Sequence, residues 1–374
     1  MTTSVVGPLQ AKWLQLETEM RQQFLEREPE IRGLMLAALS GSHIEFIGPP
    51  GNAKSAMLAA FAKRLGVSKS FDMLMTKFST PDEVFGPIDL VALKTGHYQR
   101  IIAGKLPEAE VAYLDEIYKA NSAILNALLR VLQERVYNNN GVAVQCPLLF
   151  CVGASNEFPD KDEGLAALHD RFLLRYNPGY IAAEDNFLSM LKLPTHSEMT
   201  TSFTDSELRQ SMMGVKMLTF NSSCYTSILM VKSGLKDEGL VFSDRRYKQA
   251  LAVMAADAWL RGVAQVDSES VLVLEHILWE KPEQQRIIAQ IVRKAVNPND
   301  ARITELLEAA RDAVGQVQRN SATKQQDILT MTNQVRDMRA ELDALPQSAK
   351  RDSAQQEFND LMQRLVQLLI GKRN

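Results

Sequence analysis

A glycine-containing loop between an apolar run and a helix-forming run constrains this chain most. The loop spans Gly48–Ser55, follows the largely apolar residues 44–47 and leads into a helical pattern from Ala56 to Leu65. This order of elements is typical of a phosphate-binding loop: a strand, a glycine-containing loop, Lys-Ser and a helix. Backbone N–H groups and the positive N-terminal end of the helix can then surround the phosphates of a nucleotide. The candidate residues are Gly48, Pro49, Pro50, Gly51, Asn52, Ala53, Lys54, Ser55 and Ala56.

Three residues at the end of this loop carry specific expectations. Lys54 would reach the β- and γ-phosphates, and Ser55 would ligate Mg²⁺. Ala53 stands where the second glycine of the pattern usually lies. A methyl group is tolerated there if the backbone stays in a right-handed region. The alternative is an ordinary Gly/Pro turn between strand and helix, which Lys-Ser at the helix start makes less favourable.

A second motif places two adjacent carboxylates at the end of an apolar run, Val111–Glu116. The run predicts a buried strand whose C-terminal end lies at the edge where open α/β sheets bind ligands. Asp115 would help to hold Mg²⁺ through its water shell, and Glu116 would polarise the attacking water. The alternative is an Asp-Glu helix cap before Ile117, which is less favoured once the upstream loop is considered.

Composition narrows the class of protein. The chain has 374 residues, enough for two or three domains, and a net charge of −3, which gives no general attraction to nucleic acid or anionic membranes. No apolar stretch is long enough to span a bilayer, and no signal-peptide layout is present. Cys146, Cys151 and Cys224 lack metal-ligand spacing, and Cys146 and Cys151, which flank a predicted buried strand, are expected to be small buried apolar residues. We therefore expect a cytoplasmic protein.

Strand and helix patterns alternate through the first half, which predicts an α/β fold with a mainly parallel sheet covered on both faces. Two helices are expected within residues 9–40, and another from Asn121 to Gln133. Residues 136–144 predict a β-hairpin with its turn at Asn138–Gly141. Strands are expected at His43–Ile47, Phe71–Thr76, Val111–Leu114, Pro147–Ala154 and Phe172–Tyr176.

Three domains are expected: a nucleotide-binding domain over residues 1–180, an all-helical domain over 181–280 and a helical tail over 281–374. Thr204 and Glu207 predict a capping box for a helix. The tail carries a heptad seam with the polar residues Ser321 and Lys324 on it, and a second run follows the break at Pro346. A helical hairpin packing on itself is favoured over an intermolecular coiled coil. The apolar seam positions are Ile303, Leu307, Ala310, Val314, Val317, Ile328, Met331, Val335, Met338, Leu342 and Leu345, and the second run places Phe358, Leu361, Leu365 and Leu368 on one face.

With both nucleotide motifs placed, further segments resemble the MoxR family of AAA+ ATPases, and its RavA branch in particular. The likeness covers roughly residues 28–280, and RavA-like loops also carry alanine at the position of Ala53. It implies an AAA+ P-loop core followed by an all-α lid domain. The segments that carry the resemblance are 78–87, 106–116, 121–135, 154–157 and 243–246.

The resemblance implies further roles for single residues. Asn156 is similar to sensor 1, which orients the hydrolytic water or contacts the γ-phosphate, although it could simply cap a turn. Arg171 is similar to the arginine finger that reaches the neighbouring subunit's nucleotide; Arg175 competes for this role, and either could be only a surface ion-pair partner. Arg245 is similar to sensor 2, an arginine that closes onto the phosphates, with Arg246 as a solvated neighbour.

An arginine acting on a neighbour's nucleotide implies a homo-oligomer, and the family expectation is a hexameric ring. Two segments resemble elements that project toward the ring axis: residues 86–105 and the hairpin around 138–141. Within them, Tyr98, Lys105 and Tyr137 are candidate contacts at that axis, or they could only pack the loops. The resemblance also implies a partner with a von Willebrand factor A domain and a protein client. RavA proteins carry a β-rich domain that this tail lacks.

The leading hypothesis is an ATPase that hydrolyses ATP with Mg²⁺ to remodel a client, in the manner of a chaperone. A nucleotide-gated scaffold with slow hydrolysis is the alternative, in which the helical tail binds the partner. A nucleic-acid motor is disfavoured because the chain has no basic stripe and no recognisable DNA-binding tail.

Overall fold

The computed structural model describes residues 7–159, 163–193, 199–319 and 325–371. The chain divides into two compact units, which are treated separately below. Unit 1 comprises residues 1–225 and 241–285, and unit 2 comprises residues 226–240 and 286–374. This division does not test where a nucleotide-binding domain ends, so the boundaries at 180 and 280 stay predictions.

A five-stranded parallel sheet forms the centre of unit 1, with strand order β2-β3-β6-β1-β7. Every residue of its inner strands β1 and β6 is buried, which explains their nearly continuous apolar sequences. The α/β fold class with a parallel sheet is therefore confirmed. The strands are β1 (Ile44–Ile47), β2 (Ser70–Leu74), β3 (Val111–Asp115), β4 (Val136–Asn139), β5 (Val142–Gln145), β6 (Phe150–Ser155), β7 (Leu174–Tyr176), β8 (Thr219–Phe220) and β9 (Gln265–Val266).

Helices cover the sheet and make up most of the rest of the chain. The expected β4–β5 hairpin and the Thr204–Glu207 capping box are both present. Within the region expected to be all-helical, β8 and β9 form a two-residue parallel pair. The helices are α1 (Pro8–Gln23), α2 (Glu28–Ser40), α3 (Lys54–Ala62), α4 (Pro81–Phe85), α5 (Leu90–Lys94), α6 (Ser122–Glu134), α7 (Glu163–Arg171), α8 (Glu184–Lys192), α9 (Asp205–Lys216), α10 (Ser222–Asp237), α11 (Asp244–Leu260), α12 (Pro282–Val296), α13 (Pro298–Arg319), α14 (Gln325–Ala344) and α15 (Ala349–Gly371).

The parallel register defines two edges of the sheet. Ile44, the first residue of β1, pairs with Leu174, the first residue of β7, so both strands start at one edge. Gly48, Glu116 and Asn156 directly follow β1, β3 and β6, which are neighbours in the sheet. These three residues therefore meet at the carboxyl edge, as the sequence predicts for a ligand site.

The described residues of unit 2 form helices joined by short turns, and its tail folds back on itself. A continuous helix would separate Arg302 from Glu341 by about 58 Å. The Arg302 guanidinium instead donates to both carboxylate oxygens of Glu341, at 2.7 and 2.9 Å. Helices α13 and α14 are therefore antiparallel, and α15 packs on both, so the segment after α12 has three helices rather than the two of a simple hairpin. Ser321 and Lys324 lie outside the described residues.

Apolar side chains from all three helices form the core of this tail. Most predicted seam positions lie in or against that core, and Leu306, which was not predicted, joins it. The side chains of Val317 and Leu368 lie outside what the structure describes. The buried members are Ile303, Leu306, Ala310, Val314, Ile328, Val335, Leu342, Ala354, Phe358, Leu361 and Leu365.

No helix within the described ranges is long and apolar enough to cross a membrane. Cys146, Cys151 and Cys224 are free and buried, as expected for Cys146 and Cys151.

Candidate functional site

Lys54 and Asn156 are joined at the carboxyl edge of the sheet. The Lys54 ammonium donates to the carbonyls of Gly48 at 2.6 Å and Pro49 at 2.9 Å, and to Asn156 Oδ1 at 3.3 Å. Asn156 in turn donates from Nδ2 to Glu116 Oε1. Burial lowers the pKa of Lys54, while the Asp115 and Glu116 carboxylates act in the opposite direction. The structure thus brings three of the predicted site residues into one hydrogen-bonded chain.

Glu116 occupies an unusual backbone conformation for a glutamate. Its φ of 51° and ψ of 41° place it in the left-handed region, directly before a 3₁₀ turn at Ile117–Lys119. A non-glycine residue there costs on the order of 1–2 kcal/mol, and such conformations persist where the surroundings enforce them. The side chain is only 11% exposed, and its Oε2 lies 3.2 Å from Lys119 Nζ. The helix-cap alternative does not account for a carboxylate turned toward Asn156.

Ser55 and Asp115 supply oxygen ligands of the kind that Mg²⁺ prefers. The Ser55 hydroxyl lies 2.8 Å from the Tyr113 hydroxyl. Tyr113 and Asp115 are two residues apart on β3, so their side chains share one face of the sheet. Asp115 Oδ1 accepts from the Glu116 N–H at 2.9 Å, which fixes the carboxylate beside the turn. The donor chemistry of this face therefore fits a magnesium ion.

The backbone at Ala53 is left-handed. Its φ is 67° and its ψ is 16°, so the condition under which a methyl group is readily tolerated at this position is not met. The loop must turn from the end of β1 into the first residue of α3, Lys54, and Ala53 is the N-cap of that helix. The turn therefore demands a glycine-like conformation, and the alanine methyl group makes it strained.

Replacing Ala53 by glycine should stabilise the protein. We expect Ala53→Gly to raise the Tm by about 1–3 °C, because relief of the left-handed strain exceeds the entropy that glycine gains in the unfolded chain. The matched control is Ala56→Gly in α3, where the same change should lower the Tm because glycine is unfavourable in a helix. Thermal unfolding of both variants measures the difference, and equal shifts of the same sign would contradict the strain.

Buried hydrogen bonds hold the loop from the side of β7. Asn52 Nδ2 donates to the carbonyl of Pro178 at 2.7 Å, and Arg27 donates to the carbonyls of Asn52 at 3.4 Å and Gly179 at 2.5 Å. At Gly48, a Cβ atom would lie 2.5 Å from the Pro178 carbonyl oxygen, so this position requires glycine. The Gly/Pro segment is therefore a packed and braced loop, not an ordinary surface turn.

A cavity of about 290 Å³ opens beside this loop. Gly51–Ala53 form its polar side, where Arg27 also lies. Its other walls are mainly apolar or aromatic and include Phe24, Leu25, Tyr180, Ile181, Phe187 and Met190. The cavity can accept a flat apolar group that is attached to a phosphate held by the loop.

Two of the predicted arginines lie at the other edge of the sheet. Arg171 ends α7, two residues before Leu173, whose N–H donates to the carbonyl of His43 ahead of β1. Because β1 is four residues long, about 13 Å separates this edge from the phosphate loop. Arg171 therefore lies too far away to reach the phosphates of its own chain.

Asp170 holds Arg171 and Arg245 together at that edge. Its Oδ2 lies 3.4 Å from Arg171 Nη1 and 3.6 Å from Arg245 Nη2. Burial and the neighbouring Arg245 charge lower the pKa of Arg171, and its buried Nε lacks a hydrogen-bond partner among the described residues. Arg246 Nη1 also lies 3.3 Å from Asp170 Oδ1, so one carboxylate faces three arginines and the edge carries excess positive charge. Arg245 thus contacts Asp170 in this structure, and its closing onto the phosphates stays a prediction.

Arg246 and Arg175 are internal residues. Arg246 is 4% exposed and donates to the carbonyls of Ile277, Phe172 and Leu173 at 2.7–3.1 Å, so the prediction of a solvated neighbour is wrong. Arg175 is 2% exposed, lies 3.2 Å from Glu45 and donates to the carbonyl of Trp279. Arg175 is therefore neither a surface ion-pair partner nor free to reach a neighbour, which leaves Arg171 as the candidate finger.

Sequence reasoning missed three residues of this region. Tyr113 was detectable, because it lies two positions before Asp115 on the same strand face. Asp170 directly precedes Arg171, but adjacency alone does not show that it also contacts Arg245. Arg27 contacts the loop across 25 residues of sequence, and nothing local to it signals that contact.

The two segments that resemble pore elements contact each other. Asn140 and Asn139 accept from the backbone N–H groups of Tyr98 and Arg100, at 3.1 and 2.8 Å. Tyr98 is 52% exposed, whereas Tyr137 is 8% exposed and stacks on Phe85. Packing is therefore the role of Tyr137. Lys105 donates to the Glu83 carbonyl at 3.1 Å.

Two family models match the chain. The first, described as "MoxR domain in the MoxR-vWA-beta-propeller ternary systems", matches residues 12–216 and thus more than half of the chain. The second, described as an AAA lid domain, matches residues 223–292.

Individual relatives agree with these models. An uncharacterized protein of Methanocaldococcus jannaschii is 36% identical over 270 residues, which are 72% of each chain. Chaperone MoxR1 of Mycobacterium tuberculosis is 29% identical over 174 residues, 45% of this chain and 44% of that protein. A crystal structure from Cytophaga hutchinsonii, described as a candidate ATPase, shares the fold with a TM-score of 0.60 at 18% identity, covering 76% of this chain and 94% of that one.

Proposed function

This chain belongs to the MoxR family of AAA+ ATPases, and we propose that it is an oligomeric ATP hydrolase that remodels or activates a partner protein. The observation that carries the proposal is the hydrogen-bonded chain of Lys54, Asn156 and Glu116 at the carboxyl edge. The Lys54 ammonium and the Glu116 carboxylate lie on opposite sides of one amide in this chain, which supports a phosphate-binding role for Lys54 and a water-activating role for Glu116.

The phosphate loop and the adjoining cavity define how ATP or ADP would bind. The triphosphate would lie on the backbone of Gly48–Ser55 at the start of α3. Lys54 would then exchange its bonds to the Gly48 and Pro49 carbonyls for phosphate oxygens. The base would enter the cavity of about 290 Å³, between the side chains of Phe24, Leu25 and Tyr180.

Ser55 would hold Mg²⁺ directly and Asp115 would hold it through water, and the ion would neutralise phosphate charge when bound. The Tyr113 hydroxyl can accept a hydrogen bond from the Ser55 hydroxyl, which leaves the lone pairs of the serine oxygen free for the ion. Tyr113 thus orients the serine without contacting the metal.

Removing the Tyr113 hydroxyl should weaken magnesium binding. We expect Tyr113→Phe to raise the Mg²⁺ concentration for half-maximal binding of a fluorescent ADP analogue by roughly 10-fold, as is usual when a group orienting a metal ligand is lost. Binding of the analogue in excess EDTA should not change. Tyr137→Phe, another buried tyrosine of unit 1, is the control. An unchanged magnesium titration for Tyr113→Phe would contradict the assignment.

Glu116 would act as the general base for the attacking water, and Asn156 would orient that water or contact the γ-phosphate. The contact of Asn156 with both Lys54 and Glu116 supports this division of roles, because one amide then senses the phosphate and the base together.

Arg171 and Arg245 would act on the nucleotide of the neighbouring subunit. Their place at the far edge of the sheet and their shared contact with Asp170 support this arrangement. The active site is then complete only in an oligomer, for which we propose a hexameric ring. The cis alternative for Arg245 lacks support in this geometry.

The partner is inferred from the family. The name of the matching family model supports a von Willebrand factor A domain protein, and a β-propeller protein, as partners. A chaperone-like action on a client follows the similarity to chaperone MoxR1. The RavA branch and the cytoplasmic location stay predictions, and the tail of this chain shows no strand in its described residues.

Assembly provides the test of an active oligomer. We expect the specific ATPase rate to rise with protein concentration in step with the oligomer fraction measured by light scattering. A rate per subunit that stays constant while the oligomer forms would favour the scaffold alternative, because a shared active site would then be unnecessary.

A further inference from the structure

Three buried side chains, Glu45, His169 and Arg175, and the partly buried Tyr118 form a polar cluster in unit 1; we refer to it as the Glu45 cluster. Glu45 Oε1 lies 2.7 Å from His169 Nδ1 and 3.2 Å from Arg175 Nε. The Tyr118 hydroxyl donates to Glu45 Oε2 at 2.5 Å and lies 2.7 Å from His169 Nδ1. Arg175 also donates to the His169 carbonyl at 2.8 Å. The contacts join four separate segments of unit 1.

Two members of the cluster lie close in sequence to proposed site residues. Tyr118 is two residues beyond Glu116, within the 3₁₀ turn that follows it. His169 is two residues before Arg171, in the last turn of α7. The cluster therefore connects the segment that carries the proposed base to the segment that carries the proposed finger, although these segments serve opposite edges of the sheet.

The strained backbone of Glu116 requires such an anchor. A left-handed glutamate persists only where its surroundings hold it. Tyr118, two residues after Glu116, is fixed by partly buried hydrogen bonds, and burial together with the Glu45 charge raises the pKa of its hydroxyl well above the ordinary value. The hydroxyl is therefore a permanent donor, and it holds the turn to β1.

Charge makes these hydrogen bonds strong. Burial opposes ionisation of Glu45, but His169 and Arg175 outweigh it and lower the pKa of the carboxyl. Glu45 is 1% exposed, so a carboxylate there depends on its partners. Hydrogen bonds to a buried carboxylate are shorter and stronger than neutral ones, so movement at one partner is resisted at the others.

We propose that Tyr118 and His169 are positioning residues that connect the turn of Glu116 to the end of α7. Through this connection, each subunit orients two groups together: the base of its own active site and the arginine that it lends to the neighbouring subunit. This inference rests on the proposed function, in which Glu116 and Arg171 act in different active sites. Neither positioning residue contacts the nucleotide.

Mixed oligomers separate the two effects of Tyr118. The reference mixed oligomer, called the parent pair, combines subunits carrying Arg171→Ala with subunits carrying Glu116→Gln. The two kinds of subunit are co-expressed with different affinity tags, and the mixed oligomers are purified by both tags in turn. Only sites between an intact Glu116 and an intact Arg171 can then hydrolyse ATP. The Glu116→Gln subunit supplies arginine alone, because its own base is absent. Tyr118→Phe is added to that subunit only.

We expect Tyr118→Phe in the arginine-supplying subunit to lower the ATPase rate of the mixed oligomer roughly 3- to 10-fold. Nucleotide affinity, oligomer size and the Tm of that subunit are measured alongside. Tyr176→Phe, a buried tyrosine of β7 outside the cluster, is the matched control and should leave the rate unchanged. An unchanged rate with Tyr118→Phe would overturn the inference, because Tyr118 would then influence only its own Glu116.

Substitutions of His169 provide a second test, which remains informative if Tyr118→Phe impairs folding. His169→Asn keeps an amide nitrogen near the position of Nδ1, whereas His169→Leu leaves no polar atom there. In the arginine-supplying subunit, the leucine variant should lower the rate as Tyr118→Phe does, and the asparagine variant should keep it within about 2-fold. Equal rates for the two variants would overturn the inference. An inactive parent pair would overturn the shared active site itself, and this inference with it.

Discussion

Glu116→Gln is expected to bind ATP with unchanged affinity while its turnover falls roughly 10²- to 10⁴-fold. Glutamine keeps an oxygen that can accept from Asn156 Nδ2, so the geometry of the site is retained, but the amide cannot take a proton from water. Only the chemical step is lost, so the reduction should appear in kcat and not in the Kd for ATP. Single-turnover hydrolysis and binding of a fluorescent ATP analogue measure the two quantities separately.

The matched control for this variant is Glu134→Gln on α6, where the carboxylate is 52% exposed and pairs with Arg130. The same chemical change at that surface should leave turnover intact. Normal turnover by Glu116→Gln would remove Glu116 as the base. Loss of ATP binding would instead show that Glu116 supports the phosphate loop.

Arg171→Ala is expected to lower turnover roughly 10³- to 10⁵-fold in the assembled protein, the range found when an arginine that stabilises the transferred phosphoryl group is removed. As monomers, the variant and the wild type should hydrolyse ATP at the same basal rate, because a monomer has no neighbour to supply an arginine. ATPase assays above and below the assembly concentration, with oligomer size measured by light scattering, check both statements.

Two further arginines serve as comparisons for Arg171. Arg130→Ala, at a side chain that is 47% exposed, should not change turnover. Arg175→Ala should impair folding instead, because it leaves the buried Glu45 carboxylate without one of its partners. A monomer of Arg171→Ala that is slower than the wild-type monomer would contradict action in trans.

The carboxyl-edge part of the site was predictable from sequence. Three patterns, each an apolar strand followed by polar residues, place Gly48, Glu116 and Asn156 after strands that prove to be neighbours. A parallel sheet brings such ends together whatever the details of packing. The phosphate loop, the strand with two carboxylates and the helices that cover the sheet could therefore be predicted before any coordinates were known.

Features set by distant contacts were not predictable in the same way. Arg245 and Arg246 are adjacent, and only the packing of α11 against the carbonyls of Phe172 and Leu173 decides that Arg246 is the buried one. The conformation of Ala53 follows from the path between β1 and α3, not from a preference of alanine. The antiparallel packing of α13 and α14 follows from contacts such as the ion pair between Arg302 and Glu341, 39 residues apart.

Mixing two inactive proteins tests the shared active site most directly. Arg171→Ala keeps Glu116, and Glu116→Gln keeps Arg171, so each homo-oligomer lacks one half of every site. If arginine and base come from adjacent subunits, co-assembled oligomers with equal, random composition should regain roughly a quarter of the wild-type ATPase rate. Oligomers that contain both subunits, bind ATP and remain as inactive as either variant alone would contradict the account.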